Sequence, residues 1–491
     1  MLLRNQTFAP RASLTVPALA ALLALAAITL FAGPNILWIV SDDHSAAHVG
    51  ACGNPDVLTP NMDHLAREGM RFTRAYVTSP QCLPSRASLM TGRGPVALGM
   101  TRFTTPLPRA VVTFPEILRT NGWFVGLAGR PHHLDGWSYT TNIPPLFVKH
   151  GLLTTKDRFD IVAESNYGSN ESRRDDFFRQ LDAFFAAAPT NRQFFLQFGL
   201  LDPHRAFSDA GKNPWVKRYD PAKLRLPPTF PDTLAVRNDL AHYYGAVSRL
   251  DEDLGRVLRL LNDRGLTANT LVVFVGDNGA ALFRGKGTLY ELGLRVPLIL
   301  RWPGHVKAGA ISDALISGED LAPTMLEAAG LKPTSAMTGR SFLPVLNGRP
   351  FTGREFVFAE RGVHGDPLPS NTATLDFSRC VVSQRHKLIY NATWQLPFWP
   401  VDFFSQPFWL ELVDQNRSGR LDAKWARLYF APHRPMFELY DLENDPWELN
   451  NLAGQPESAE LEFRLRMALT EWMLLERDYL PLPAPDAPKE R

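Results

Sequence analysis

The sequence predicts an α/β fold with a large, mainly parallel sheet sandwiched by helices, followed by a smaller C-terminal α+β domain that carries a short antiparallel sheet. Apolar runs alternate with helical patterns over most of the 491 residues, and such runs are typical of strands buried on both faces of a parallel sheet. From about Thr372 the apolar runs shorten and turn residues separate them. We therefore expect a larger domain over 34–371 and a smaller domain over 372–491, which ends in a proline-rich tail.

The first predicted elements alternate as a parallel sheet requires. An apolar run at 36–40 predicts a strand, and TPNMDHLAREG predicts a helix that Thr59 could cap and that Gly69 ends. A second helix from about Pro115 leads into a strand that reaches Leu127. This alternation of strands and helices implies a mainly parallel sheet with helices on both faces.

The later elements continue this alternation and then change. A strand is predicted from Phe194 and another over TLVVFVG, with apolar residues at helical spacing between them. Short strands are predicted in RCVVSQRHKLIYNATWQ and MFELYDLENDPWELNNL, and a final helix from about Glu457 to Glu476. This change of pattern is the basis for the smaller C-terminal domain.

The overall composition is that of a packed globular protein. Hydrophobic residues make up 45% of the chain and charged residues 21%, which allows a sizeable core. The net charge of +2, from 52 basic and 50 acidic residues, argues against general nucleic-acid binding, which usually requires a strong basic excess. The 3 cysteines are too few for a disulfide framework, although Cys52 and Cys380 could pair in an oxidising compartment.

Residues 1–33 are predicted to export the chain. Arg4 and Arg11 precede an uncharged apolar run from Ser13 to Gly33, the pattern of a signal peptide. The run is also just long enough to span a membrane, so a retained N-terminal anchor is the alternative. In either case we expect the remaining chain to be periplasmic or secreted.

Polar side chains follow the predicted strands at four places. Asp42 and Asp43 follow the first strand, and Asp277 with Asn278 follow TLVVFVG; the segment 130–135 and His204 come after two others. In open α/β folds functional groups gather at the carboxyl ends of strands. Paired acids there are candidate ligands for a hard cation, although a Ser-Asp pair could equally cap a helix.

Cys82, in SPQCLPSRASLMTG, is the least expected residue of the chain. A cysteine nucleophile for phosphate esters has its arginine six positions later, where this chain has Ser88. A helix predicted in SRASLMTG would favour an anion near the thiol, and Arg86 could hold that anion in place. The alternative is a buried structural thiol, the commonest fate of a lone cysteine.

The segment CLPSRASLMTG resembles the signature of the type I, formylglycine-dependent sulfatases of the alkaline phosphatase superfamily. PNILWIVSDDH, TPNMDHLAREGMRFTRAY, GDNGAALFRGKGTLYELGLRVPLILRWPG and ELYDLENDPWELNNL resemble further segments of that family in the same order. The resemblance extends from Pro34 to about Glu476. It implies a hydrolase of sulfate esters or sulfamates in which a maturation enzyme oxidises Cys82 to formylglycine.

The resemblance also implies the ligands of a divalent cation. They are Asp42, Asp43, Asp277, Asn278 and the modified Cys82. Carboxylate and amide oxygens suit Ca²⁺ best and Mg²⁺ second. By this resemblance the cation would activate a hydroxyl of the hydrated formylglycine as the nucleophile for sulfur.

Several further residues match catalytic positions of the family. Arg86 matches the arginine that steadies the formylglycine, His204 the histidine that protonates the leaving group or holds the sulfate, and Lys286 the lysine that contacts the sulfate. Many members have Gly-Lys-x-His, or one residue more, where this chain has AGRPHHLDG. There Arg130 keeps the charge of the lysine with a planar fork, and either His132 or His133 could be the family histidine, with His133 preferred.

The substrate expected from the resemblance is a sulfated carbohydrate. FGLLDPHRAF and IYNATWQLPFWPVDFFSQPFWLELV are most similar to the heparan N-sulfatase branch, which removes the N-sulfate of a terminal glucosamine. Arg205, Trp394 and Trp399 could contact a sugar, or the tryptophans could be core residues. One alternative is a phosphodiesterase or phosphonate hydrolase of the same superfamily, which activity on a phosphate diester would distinguish from a sulfatase. The other is an inactive glycan-binding relative, against which the intact catalytic set argues.

Overall fold

The computed structural model describes residues 33–103, 105–130, 133–136, 142–152, 155–164, 172–207, 217–364 and 375–484. Residues 1–32 of the predicted export segment 1–33, His132 and the predicted domain boundary near 372 lie outside these residues. Within them, no helix is both long enough and apolar enough to cross a membrane.

The fourteen described strands are β1 Asn35–Ser41, β2 Met70–Phe72, β3 Ala75–Tyr76, β4 Phe124–Gly129, β5 Ile161–Glu164, β6 Phe194–Gly199, β7 Thr270–Gly276, β8 Leu298–Arg301, β9 Ala310–Ser312, β10 Ile316–Ser317, β11 Val357–Arg361, β12 Ser378–Val382, β13 His386–Asn391 and β14 Phe437–Asp441. Eight of them form one sheet in the order β5-β4-β6-β1-β7-β8-β2-β9. The pairs from β5 to β7 are parallel, and only β8 runs antiparallel to both of its neighbours. The mainly parallel sheet predicted from the apolar runs is confirmed.

The α-helices are α1 Pro60–Glu68, α2 Cys82–Thr91, α3 Phe114–Thr120, α4 Ile143–Lys149, α5 Thr155–Arg158, α6 Ser172–Ala187, α7 Leu234–Asp263, α8 Glu291–Leu294, α9 Leu321–Ala328, α10 Leu343–Leu346, α11 Pro407–Arg417, α12 Ala423–Tyr429 and α13 Ala459–Leu475. They cover both faces of the large sheet. Trp38 of β1 lies in the same core as residues of α2, α3 and α9, whereas its neighbour Leu37 packs with α1, α6 and α7. Successive side chains of a strand point to opposite faces, so a wholly apolar strand needs both helical layers.

A separate four-stranded antiparallel sheet, in the order β11-β12-β13-β14, forms the smaller sheet near the C-terminus. Helix α13 packs on it through Leu465, Leu469 and Met473. The sheet therefore includes β11, which precedes residue 372 in the chain. The division of the chain into two domains at that residue stays a prediction.

The structure corrects three local predictions. Thr59 precedes α1, but its hydroxyl donates to Asp63 at 3.0 Å and caps no helical N–H. Helix α2 begins at Cys82 itself, ahead of the predicted SRASLMTG. All three cysteines are free: Cys380 lies in the core on one face of the large sheet and Cys52 packs against the core on the other, so the suggested pairing does not occur.

Two leucines on α7 test the contribution of this helix to the core. Leu254 is fully buried between α7 and the sheet, whereas Leu234 at the first turn is 72% exposed. We expect Leu254→Ala to lower the free energy of unfolding by about 2–5 kcal/mol, because it removes buried contacts and leaves a cavity. Leu234→Ala is the matched control, and chemical denaturation measures both. An equal effect of the two substitutions would contradict the buried orientation of the helix.

Candidate active site

The pairing of β1 with β7 brings two acidic segments together. Ser41 is aligned with Gly276 in the parallel register, so the residues that follow each strand lie side by side. One ligand atom from each of Asp42, Asp43, Asp277 and Cys82 lies within 4.8 Å of the others. We call these four residues and Asn278 the acidic cluster.

Cys82 occupies the first position of α2 and points into the acidic cluster. Its Sγ lies 3.5 Å from Oδ1 of Asp42 and 3.7 Å from Oδ1 of Asp43. Burial raises the pKa of the thiol, and although Lys286 lowers it, the neighbouring carboxylates raise it further, so the pKa stands well above its ordinary value. An unmodified Cys82 therefore stays a neutral thiol and supplies no thiolate nucleophile.

Two buried arginines balance the carboxylates of the cluster. Arg86, one turn into α2, donates from Nε to Asp277 at 2.8 Å and from Nη2 to Asp42 at 3.3 Å. Arg130, at the end of β4, donates from Nε to Asp42 at 2.7 Å. Burial raises the pKa of Asp42, but Arg130, followed by His204 and Arg86, outweighs burial and keeps that pKa below its usual value.

The donor set fits a hard divalent cation. The Asn278 amide donates from Nδ2 to Oδ1 of Asp43 at 2.8 Å, while its own Oδ1 is buried without a hydrogen-bond partner. Burial, followed by the negative charge of the adjacent Asp42, raises the pKa of Asp277 to about 6. Crowded carboxylates beside an unpaired amide oxygen match the oxygen coordination that Ca²⁺ and Mg²⁺ require.

Lys286 and His204 lie beside the cluster on the side of Asp43. Nζ of Lys286 is 2.9 Å from Oδ1 of Asp43 and 3.4 Å from Nε2 of His204. Nδ1 of His204 contacts the backbone carbonyl of Arg205, so Nδ1 carries a proton and Nε2 faces Lys286. Burial lowers the pKa of Lys286, but Asp402 and Asp43 more than compensate, so its pKa is raised and the amine stays charged.

Two site residues were missed by sequence reasoning. Oδ2 of Asp402 lies 2.6 Å from Nζ of Lys286, and its Oδ1 lies 3.7 Å from Nε2 of His364. Asp402 has a φ of 65°, a conformation in which non-glycine residues are uncommon. The sequence signal for Asp402 is that it is the lone acidic residue in QLPFWPVDFFSQPFWL. Trp399 of the same stretch was interpreted as a candidate sugar contact instead. No comparable signal marks His364.

Of the two candidate histidines after Arg130, the structure describes only His133. Its backbone has a φ of 63°, and its Nδ1 is buried without a hydrogen-bond partner. Burial lowers the pKa of His133, and the charges of Arg130 and Arg86 lower it further, well below the usual value. His133 is therefore a neutral imidazole near the two arginines.

Arg205, a candidate sugar contact from the sequence, is held by contacts within the chain. Its Nη1 donates to Asp239 at 2.8 Å, its Nε donates to the carbonyl of Ala281 at 3.0 Å, and its guanidinium lies 4.2 Å from the Phe207 ring centroid. These contacts occupy the side chain and fix the loop that carries His204. Of the two tryptophans, Trp399 is 38% exposed and stacks on Phe404, while Trp394 is half-buried.

Two family models match the chain. The model described as Sulfatase matches residues 34–331, and the model described as N-sulphoglucosamine sulphohydrolase, C-terminal, matches residues 279–392. The first includes every residue of the acidic cluster together with Arg86, Arg130, His204 and Lys286. The second begins just after Asn278.

Individual relatives agree with these matches. Human N-sulphoglucosamine sulphohydrolase is 30% identical over 94% of this chain and 94% of its own. A solved structure of a protein in complex with its substrate D-glucosamine-2-N,6-O-disulfate has a TM-score of 0.67 and 21% identity, over 91% of this chain and 99% of that one. A phosphonate monoester hydrolase from Silicibacter pomeroyi has a TM-score of 0.69 and 21% identity, over 91% and 96%; at this identity both structures show the shared fold alone.

The family match, which spans more than half of the chain, and the full-length human relative lead to the same conclusion. The chain belongs to the sulfatase family and is a hydrolase of sulfate esters or sulfamates.

Proposed function

We propose that this sulfatase removes the N-sulfate from glucosamine at the end of a sulfated glycan, with a formylglycine made from Cys82 and a bound Ca²⁺. The observation that carries the substrate is the 30% identity to human N-sulphoglucosamine sulphohydrolase along 94% of both chains. The C-terminal family model over 279–392 supports the same branch of the family and includes Lys286.

The charges of the site support a cation that prepares it for an anionic substrate. Four carboxylates, those of Asp42, Asp43, Asp277 and Asp402, meet three permanent cations, those of Arg86, Arg130 and Lys286. One negative charge is therefore in excess, and it would repel a sulfate group. A divalent cation reverses the sign and leaves one positive charge to attract the sulfate.

When bound, the cation and the formylglycine supply the nucleophile for sulfur. The side chains of this chain hold and orient the reacting group around them. Lys286, whose Nζ lies 3.4 Å from Nε2 of His204, donates to a sulfate oxygen and stabilises the charge that develops as the bond to sulfur breaks. Nε2 of His204, when protonated, gives its proton to the leaving nitrogen.

The burial of Cys82 bears on its maturation. The residue is only 1% exposed and begins a helix that lies wholly in the core. An oxidising maturation enzyme needs access to the thiol, so Cys82 is converted before the chain folds. An exported chain, which crosses a membrane unfolded, offers such a stage.

The substrate is tested by comparing sulfate release from N-sulfoglucosamine, from glucosamine 6-sulfate and from a simple aryl sulfate. We expect kcat/KM for N-sulfoglucosamine to exceed that for the 6-sulfate by at least about tenfold, since the site would be built around a leaving nitrogen. A phosphate diester is included to detect the activity of the related phosphonate hydrolases. Faster turnover of the O-sulfates or of the diester would contradict the proposal.

The role of Cys82 is tested by mass spectrometry and by substitution. Conversion to formylglycine lowers the mass of the Cys82 peptide by about 18 Da, because sulfur and two hydrogens are replaced by one oxygen. Cys82→Ala should reduce kcat by about 10³-fold or more without loss of folding. Cys52→Ala, which alters a partly buried free thiol on another element, is the control and should retain activity. Normal turnover by Cys82→Ala would refute the mechanism.

The cation is tested by chelation with a stability readout. Ca²⁺ added to metal-free protein should raise the Tm, because it binds only the folded acidic cluster and relieves the repulsion of its carboxylates. Asp277→Asn should remove this gain, whereas Asp313→Asn, at an exposed position, should preserve it. An unchanged Tm on addition of Ca²⁺ or Mg²⁺ would contradict the proposed cation site. A larger increase in Tm with Mg²⁺ than with Ca²⁺ would identify Mg²⁺ as the bound ion.

A further inference from the structure

A cavity of about 360 Å³ lies on the other side of the loop that carries Lys286. Arg284 and residues 287–290, from the loop after β7, line one part of it, and residues of the small antiparallel sheet and α12 line another. Lys286 itself points away from it, toward Asp43. The cavity is therefore separate from the acidic cluster, although both use the same loop.

Arg284, which lines this cavity, is a buried cation that stacks on an aromatic ring and has no carboxylate partner among the described residues. It is 4% exposed, and its guanidinium lies 3.6 Å from the ring centroid of Tyr290. Its Nη1 is buried without a hydrogen-bond acceptor, and among the described residues no carboxylate forms an ion pair with it. A buried charge without a counter-charge is strongly destabilising, so we expect an anion to complete this site.

The other charged groups of the cavity do not satisfy Arg284. Asp376 is shared between Arg361, at 3.0 Å, and Arg434, at 2.8 Å. Glu448 accepts from Lys387 at 2.8 Å, and Glu438 accepts from the Tyr290 hydroxyl at 2.8 Å. Each acid that lines the cavity is thus engaged elsewhere.

Positive charge predominates along the cavity wall. Five basic side chains line it, namely Arg284, Arg361, Lys424, Arg427 and Arg434, against the three acids already described. Arg361 is 3% exposed and its Nε, like Nη1 of Arg284, is buried without a partner. Arg427 is exposed at the mouth and would attract an anion from solvent.

We propose that this cavity is a second sulfate-binding site, in which Arg284 and Arg361 donate N–H groups to the oxygens of one sulfate group. Guanidinium groups suit this role because their planar donors match the spacing of oxyanion oxygens. The sulfate group has two possible sources, the inorganic sulfate that the enzyme releases and a sulfate carried by the glycan chain. The volume exceeds that of a single ion and leaves room for part of a sugar.

The loop provides a physical link between the two sites. Arg361 donates from Nη1 to the carbonyl of Gly287, and the N–H of Gly287 donates to the carbonyl of Pro80, two residues before Cys82, at 2.9 Å. Lys286 lies between these anchors and Asp43. Sulfate bound to Arg361 would therefore act on the segment that positions Lys286, and inhibition by added sulfate should include a non-competitive component.

The direct test uses selenate, an anomalously scattering analogue of sulfate, soaked into crystals of the mature enzyme. We expect one selenium peak beside Cys82 and a second beside Arg284. Arg284→Gln should lose the second peak and keep the first. A peak at the catalytic centre alone, or a second peak that survives Arg284→Gln, would overturn the proposal, the latter by revealing an adventitious ion only.

Equilibrium dialysis with radioactive sulfate tests the site in solution and guards against misfolding of Arg284→Gln. The wild-type enzyme should bind two sulfates and Arg284→Gln one. Arg427→Ala, at the exposed mouth, should weaken the second site by about threefold or more, whereas Arg417→Ala, at an exposed position on the neighbouring α11, should leave it unchanged. Equal sulfate binding by the wild type and both variants of the cavity would refute the proposal.

The source of the sulfate group is decided by competition at the second site. A sulfated disaccharide that the enzyme does not hydrolyse is added at increasing concentration to the dialysis. Displacement of the second sulfate at lower concentration than unlabelled sulfate identifies a glycan site, and weaker displacement identifies a product site. The number of sulfates bound does not depend on which sulfated sugar the enzyme hydrolyses. A failure of the second-site proposal is therefore distinguishable from a failure of the substrate proposal.

Discussion

The parallel register of β1 and β7 is the constraint on which the active site depends. It aligns Ser41 with Gly276 and so forces Asp42, Asp43 and Asp277 into one buried space. Carboxylates at such distances repel each other strongly in a medium of low polarity. The sheet can hold them only because its apolar strands, buried on both faces, contribute much more to stability than this cluster costs.

Charge compensation at the site comes from parts of the chain that are far apart in sequence. Arg86 enters from α2, Arg130 from the end of β4 and Lys286 from the loop after β7. Each contacts a carboxylate of the acidic cluster, and each lies almost entirely out of solvent. The site is thus preorganised: side chains that would hold a sulfate are already oriented by ion pairs, and little reorganisation is needed when an anion arrives.

The sequence predicted what local patterns encode. Apolar runs that end in acids located β1, β7 and the acidic cluster, because strand burial and the position of strand ends follow directly from residue order. Asp402 escaped prediction, since its place beside Lys286 depends on a left-handed backbone turn within an irregular, aromatic segment. The partner of Arg205 also could not be predicted, because Asp239 comes from α7, which no local pattern beside His204 reveals.

Helix α7 packs against both the large sheet and the segment that carries Asp402. Its C-terminal half packs on the large sheet through residues such as Leu254, while Val236 and Leu240 in its N-terminal half share a core with Phe403 and Trp409. The segment that carries Asp402 therefore packs on the same helix that supports the large sheet. The large sheet and the segment that carries Asp402 consequently share one scaffold, so hinge motion between them would have to break a common aromatic core.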